Sequence, residues 1–400
     1  MENIAQKSLR SYGFLIPFIA GFAMFSMFFG SGNLVFPLHI GAQTEGNFID
    51  ASIGLMITGV IVPFIGLVSM LMFNGNREEF FRPLGSYAPF IFTLLMLSLL
   101  GPFGVIPRCI TVAYGGIGLM FPSFPLSIFS WLFCLTIALV IWQRSRIVDI
   151  VGRFLTPFLL LGLGAIIVAG IIKASPSEHT PLTRFDSFTL GFFEGYMTMD
   201  LIAAFFFAAT TATYIKQKKQ QIGIETPSVT NLGLKSAIIG GGLLGVVYIG
   251  FVMMASRYAA VLDQARPEEI LTIIAHHTLG EFAIPVVAIT ICLACVTTAV
   301  ILTSLFADFL TQDVTKNKMG RQPAILITIL ISYALSLLGF SSIGVWLGAI
   351  LQFFYPSLIS LAVGNIIDKS FNTTITFALF LITLACSILW SVRDFLMGWV

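Results

Sequence analysis

The chain has 400 residues, of which 57% are hydrophobic and only 10% charged, and its mean hydropathy is +0.96. Such values lie outside the range of soluble domains and leave no basis for a nucleic-acid-binding surface. The formal net charge of +2 says little about partners; its distribution along the chain says more.

A spanning helix needs roughly 20 mostly apolar residues, and such segments recur along nearly the whole chain with short polar links. The expected fold is therefore an all-α polytopic bundle, not a barrel. Lys7 and Arg10 precede the first apolar run, which is long and lacks a small-residue cleavage site, so it reads as a retained first span. Spans are expected at about 13–40, 50–73, 86–121, 124–142, 150–173, 188–215, 234–256, 281–311, 323–340, 342–366 and 372–396, about eleven helices in one transmembrane domain. With the N-terminus cytoplasmic, the inner loops hold Lys7, Arg10, Arg77, Arg82, Arg144, Arg146, Arg153, Lys216, Lys218, Lys219, Lys235, Lys316, Lys318, Arg321 and Lys369. Only Lys173, Arg184, Arg257, Arg266 and the terminal Arg393 fall outside, the asymmetry that the positive-inside rule requires. The expected location is a bacterial cytoplasmic (inner) membrane.

The first span is interrupted by Phe28-Phe29-Gly30-Ser31-Gly32-Asn33-Leu34-Val35-Phe36-Pro37. An unpaired backbone group in hydrocarbon costs several kcal/mol, so non-helical backbone survives there only against protein or a polar cavity. Its freed groups become ligands. In the third segment, Gly101-Pro102-Phe103-Gly104-Val105-Ile106-Pro107-Arg108 carries one arginine, which must pair, face water or snorkel. Asp200 or Glu194 is its expected partner.

The sixth segment, Gly191-Phe192-Phe193-Glu194-Gly195-Tyr196-Met197-Thr198-Met199-Asp200, places two carboxylates and a glycine inside a span. Intramembrane ionisable groups usually face a pathway, although Glu194 also fits a helix cap near the outer interface. This break lies five helices after the first, so two halves of opposite orientation are expected, an inverted repeat over about 10–173 and 188–366 followed by an extra helix at 372–396. His276 and His277 read as a solvated pair in the loop before the eighth segment. In that segment the Ala294 carbonyl and the Thr297 and Thr298 hydroxyls converge on one helix face, a neutral oxygen set suited to a hard monovalent cation. Thr in membrane helices also bonds back to its own i−4 carbonyl. The five cysteines lie in apolar segments; Cys292 and Cys295 form a CxxC without a second pair and read as core residues. No phosphate loop, activated nucleophile or zinc motif is present, so neither an enzyme nor a cofactor is expected.

Taken together, FFGSGNLVFP (28–37), GPFGVIPR (101–108), EGYMTMD (194–200) and LACVTTAVILTS (293–304) resemble the bacterial branched-chain amino acid carriers of the BrnQ type, which are cation symporters. Members of that family usually carry a twelfth helix, where this chain offers about eleven. More distantly the first break is similar to that of the leucine-transporter fold. The resemblance implies sodium-coupled uptake of leucine, isoleucine and valine. By it the amides of Ser31 and Gly32 face the substrate carboxylate, with Asn33 beside them, while the Phe28 carbonyl and Tyr196, Met197 and Thr198 receive the amino group. Sodium lies among Ser26, Phe29, Ala294, Thr297 and Thr298, and Arg108, Glu194 and Asp200 serve as coupling or gating charges. Met27, Phe103, Tyr196 and Phe206 are the expected side-chain pocket. A proton-coupled carrier using Asp200 or Glu194 is the main alternative, with a channel or an intramembrane enzyme using the same carboxylates behind it. Beyond substrate, the coupling ion and lipid, no protein partner is expected.

Overall fold

The computed structural model describes residues 16–142, 147–222 and 228–397, and among these all regular structure is helical. Lys7, Arg10, Arg144 and Arg146 lie outside the described residues, as do the side chains of Arg153 and Arg393. The first span consists of α1 (Ile16–Phe28) and α2 (Ser31–Thr44). Between them the Phe29 amide still bonds the Phe25 carbonyl at 2.8 Å, and Gly30 is extended, with φ −127° and ψ −159°. A Cβ at Gly30 would stand 3.2 Å from Thr298 Cγ2, so the break packs directly on the eighth segment.

The second span runs through α3 (Phe48–Met56), a π turn (Ile57–Ile61) and α4 (Val62–Met72). The short α5 (Arg77–Phe81) is capped by Asn76, whose side chain accepts from the Glu78 and Glu79 amides. The third segment, expected as one long helix, is two: α6 (Ala88–Leu100) and α7 (Val105–Ile117). Gly101 and Gly104 allow the break, for a Cβ at Gly104 would sit 2.1 Å from the Leu99 carbonyl oxygen. Next come α8 (Leu126–Trp142) and α9 (Ile147–Lys173).

The sixth segment divides into α10 (Arg184–Tyr196) and α11 (Asp200–Ile222), bent by 42°. Met199 makes the turn at φ +62°, a conformation that costs a non-glycine residue about 1 kcal/mol or more and is held only by its surroundings. Then follow α12 (Val229–Ser256), α13 (Ala259–Leu262) and α14 (Ile270–Leu279). His276 and His277 are not in a solvated loop but in the last turn of α14, His276 half-buried, where imidazoles lie beside the unpaired helix-end carbonyls. The chain finishes with α15 (Ala283–Phe309), a π turn (Leu310–Val314), α16 (Arg321–Ser336), α17 (Phe340–Phe371) and α18 (Thr376–Met397). Among the described residues, length and apolar composition alone give five spanning stretches, or six with the bent pair, and five shorter apolar helices accompany them. The expected count of about eleven depends on those shorter helices.

Much of the surface is apolar, while several polar groups are buried in the core. Leu161, Val246 and Val345 are more than 70% exposed, whereas Asn33, Arg108 and Asp200 are at most 2% exposed. Close backbone contacts fix the half-helix α10 against the second span. A Cβ at Gly191 would lie 2.0 Å from the Ala51 carbonyl oxygen, and one at Gly54 would lie 2.2 Å from that of Phe188. At the π turn, Thr58 Oγ1 donates to the Phe192 carbonyl at 2.7 Å. In lipid, such small-residue contacts and interhelical hydrogen bonds supply the cohesion that water would otherwise drive.

Candidate substrate and ion site

Breaking the first span exposes amides. The first bond within α2 runs from the Leu34 amide to the Gly30 carbonyl at 3.2 Å, so the amides of Ser31, Gly32 and Asn33 have no intrahelical acceptor. The Gly30 amide is taken by Asn33 Oδ1 at 2.9 Å. From its other end the same side chain donates Nδ2 to Asp200 Oδ2 at 2.8 Å and to the Tyr248 hydroxyl. Tyr248 in turn donates to Asp200 Oδ2 at 2.9 Å. Asn33 therefore joins the first break to the start of α11 and the middle of α12. Tyr248 is a site residue that the sequence reading missed; its one signal is a lone tyrosine in an apolar helix, since a buried Tyr hydroxyl needs a partner.

Arg108 is buried but does not form the expected ion pair with Asp200 or Glu194. Asp200 is turned to Asn33 and Tyr248, and Glu194 Oε1 lies 3.8 Å from His39 Nδ1. The guanidinium donates Nη2 to the Met197 carbonyl at 2.8 Å and Nη1 to Met199 Sδ at 3.7 Å. Its face stacks over the rings of Phe36 (4.7 Å) and Phe340 (5.5 Å), and its Nε has no hydrogen-bond partner.

These elements surround a small cleft. Of the predicted residues, Phe28, Ser31, Gly32, Asn33, Arg108, Thr198, Asp200 and Thr298 line it. Ser26, Phe29, Glu194, Tyr196, Met197, Ala294 and Thr297 do not. Phe29 packs on Phe25 and Phe251, Tyr196 stacks on Tyr355 at 4.5 Å, and Met197 presents its carbonyl to Arg108. Of the expected pocket only Met27 is on the wall. Phe103 is 39% exposed, and Phe206 is buried under the Arg77 guanidinium at 5.2 Å. The apolar wall comprises Leu100, Val105, Met199, Ala203, Phe207 and Leu302.

On α15 both threonine hydroxyls donate back to carbonyls of their own helix, the bonding open to any threonine in a membrane helix. Thr297 Oγ1 lies 2.9 Å from the Ala294 carbonyl and 3.1 Å from that of Leu293, and Thr298 Oγ1 lies 3.1 Å from that of Ala294. A Cβ at Gly30 would come within 3.4 Å of Thr298 Oγ1, so this oxygen-rich face abuts the break in the first span. Cys295 reaches the side of Cys109, whose Sγ lies 3.5 Å from Ser31 Oγ, and Cys292 Sγ faces the Ala113 carbonyl at 3.7 Å. The CxxC is thus part of the α7–α15 contact.

Two broken helices meeting at a buried polar cleft belong to a known membrane-transporter architecture. Over 94% of this chain and 91% of the other, the fold matches the inward-facing conformation of Mhp1 with a TM-score of 0.62 at 11% identity. It also matches the substrate-bound outward-open state of a Na+-coupled sialic acid symporter, with a TM-score of 0.55 at 12% identity over 93% and 88% of the two chains. The fold is therefore leucine-transporter-like. Residues 16–398 match the family model described as branched-chain amino acid transport protein, and the chain belongs to that family. It is 31% identical over 306 residues to the branched-chain amino acid transport system 3 carrier protein of Pseudomonas aeruginosa, covering 73% of this chain and 68% of that one. To the branched-chain amino acid permease BrnQ of Escherichia coli it is 28% identical over 350 residues, 86% and 78% of the two chains. A family of transporters and permeases replaces the enzyme reading.

Proposed function

We propose that the protein imports leucine, isoleucine and valine by sodium symport with alternating access, in a bacterial cytoplasmic membrane with its N-terminus inside. The observation that carries this reading is the cleft itself, where both helix breaks, a buried carboxylate and an apolar wall meet beside the hydroxyl face of α15. The two breaks occupy corresponding positions in two inverted halves, 10–173 and 188–366, with 372–396 appended.

Sodium binds between α1 and α15, using the carbonyls of Ser26, Phe29 and Ala294 and the hydroxyls of Thr297 and Thr298. It ties the first span to the eighth and favours the outward-open form. A zwitterionic amino acid then docks on the breaks, its amino group toward Asp200, the Phe28 carbonyl and the second break, and its side chain against Met27, Leu100, Val105, Ala203, Phe207 and Leu302. One bundle then rocks against the other. Glu194, beside His39 at the end of α10 next to the break, acts in gating. The ion contributes its gradient and about 2.3 kcal/mol per charge per 100 mV. Because one methylene is worth only about 1–3 kcal/mol, discrimination among the three substrates is modest.

Leucine uptake into proteoliposomes, with and without a sodium gradient, tests the reading. Thr297→Ala with Thr298→Ala raises the sodium concentration for half-maximal uptake several-fold. Uptake driven by a pH step alone would instead favour the proton-coupled reading, for which Asp200, buried without an ion pair, is the candidate carrier.

A further inference from the structure

Arg108 presents a buried charge with no carboxylate in contact among the described residues. An arginine at the centre of a spanning helix costs about 2.5–3.5 kcal/mol on insertion scales, and such groups are ordinarily paired. Among the described residues, no carboxylate lies within ion-pair distance of this one. Its acceptors are a carbonyl and a thioether, its Nε has none, and the side chain is 1% exposed on the wall of the cleft. A second positive feature converges on the same point. A Cβ at Gly32 would stand 3.1 Å from Arg108 Nη2, so the guanidinium abuts the N-terminal turn of α2, where the Ser31 and Gly32 amides lack intrahelical acceptors. A guanidinium and the positive end of a helix dipole both favour an anion at the same point.

We infer that Arg108, at the N-terminal turn of α2, is the receptor for the substrate α-carboxylate, and that it is not a coupling charge. The inference rests on the amino acid transport reading and deepens it. Phe36 and Phe340 hold the guanidinium plane, and Met197 holds one of its nitrogens. Asp200 lines the same cleft, and Asn33 and Tyr248 both donate to its Oδ2. A zwitterion therefore sits with its carboxylate on Arg108 and its ammonium on the Asp200 side. The glycine at position 32 is needed because any side chain there would occupy the carboxylate position and meet the arginine.

The test is equilibrium binding of radiolabelled L-leucine to the purified full-length protein in nanodiscs, with leucinamide as competitor. Leucinamide keeps the side chain and amine but carries no carboxylate. The wild type should prefer leucine to leucinamide by at least about 30-fold, the lower range for truncating one partner of a buried, hydrogen-bonded charge pair. Arg108→Gln should weaken leucine by a similar factor and bring the two ligands to near parity, and Arg108→Lys should retain part of the preference. A residue that only closed the outer half of the cleft would alter both ligands equally. Preserved preference in Arg108→Gln overturns the assignment while leaving transport intact. So does a wild type that binds leucinamide as tightly as leucine, a result that depends on no variant. A folded wild type that binds neither leucine nor leucinamide removes the transport reading and this assignment together.

Discussion

Asn33 satisfies three partners from one side chain, and two of them, Asp200 and Tyr248, satisfy each other. Removing it by Asn33→Leu leaves the Gly30 amide without its acceptor and takes one of two donors from a buried carboxylate. A buried group left unpaired costs about 1–3 kcal/mol. Tyr248→Phe removes one hydroxyl and leaves the Asn33–Asp200 bond standing. Thermal unfolding in detergent should therefore show a much larger drop for Asn33→Leu than for Tyr248→Phe, and equal midpoints would mean that the network carries no stability. At this scale the sequence was informative about which residue types were costly and silent about how they pair. Asn33, Arg108 and Asp200 were conspicuous as polar groups in hydrocarbon. That Asp200 turns to Asn33 and Tyr248, and away from Arg108, depends on the relative rotation of α2, α7 and α11, which no local pattern encodes.

The elements divide glycines into those that permit contact and those that merely interrupt a helix. Gly191 and Gly54 let α10 and α3 approach until backbone meets backbone. Gly191→Val should abolish recovery of a monodisperse protein, since its Cβ begins 2.0 Å from the Ala51 carbonyl oxygen. Gly242 in α12 faces open space, so Gly242→Ala should leave uptake unchanged and gain up to about 1 kcal/mol of helix stability, seen as a higher melting midpoint. If Gly191→Val melted like the wild type, the α3–α10 contact would not be tight. The break between α10 and α11 was legible because two carboxylates marked it. The break at Gly101–Gly104 was not, because Leu99, Phe103 and Val105 keep the hydropathy high across it, and a hydropathy window registers composition without registering backbone direction. The exchange of Phe206 for Phe207 on the cleft wall has a similar origin: adjacent residues on α11 point about 100° apart, and only the packed structure decides which faces inward.

At the scale of the whole molecule, the distribution of Lys and Arg makes an orientation claim that chemistry can check. Lys216 at the far end of α11 and Arg184 at the start of α10 are both exposed and belong to opposite sides of the proposed topology. In a Cys386→Ala background, Arg184→Cys should react with a membrane-impermeant maleimide in intact cells, and Lys216→Cys only after permeabilisation. The reverse pattern would invert the topology. The broad architecture was the most legible level of all, because hydropathy, interrupted spans and charge asymmetry are each sums over many residues and tolerate local error.

The Asn33 connection also has a mechanical meaning. It fastens the gap between α1 and α2 to the start of α11 and to α12, so the two broken spans share one joint and do not open as independent hinges. Separating α2 from α11 must part Asn33 from Asp200, at about 1–3 kcal/mol for each group left unpaired. That is the same size as the work done by one charge crossing about 100 mV of membrane potential. A joint of this strength holds against thermal motion and lies within the work that a membrane potential can do.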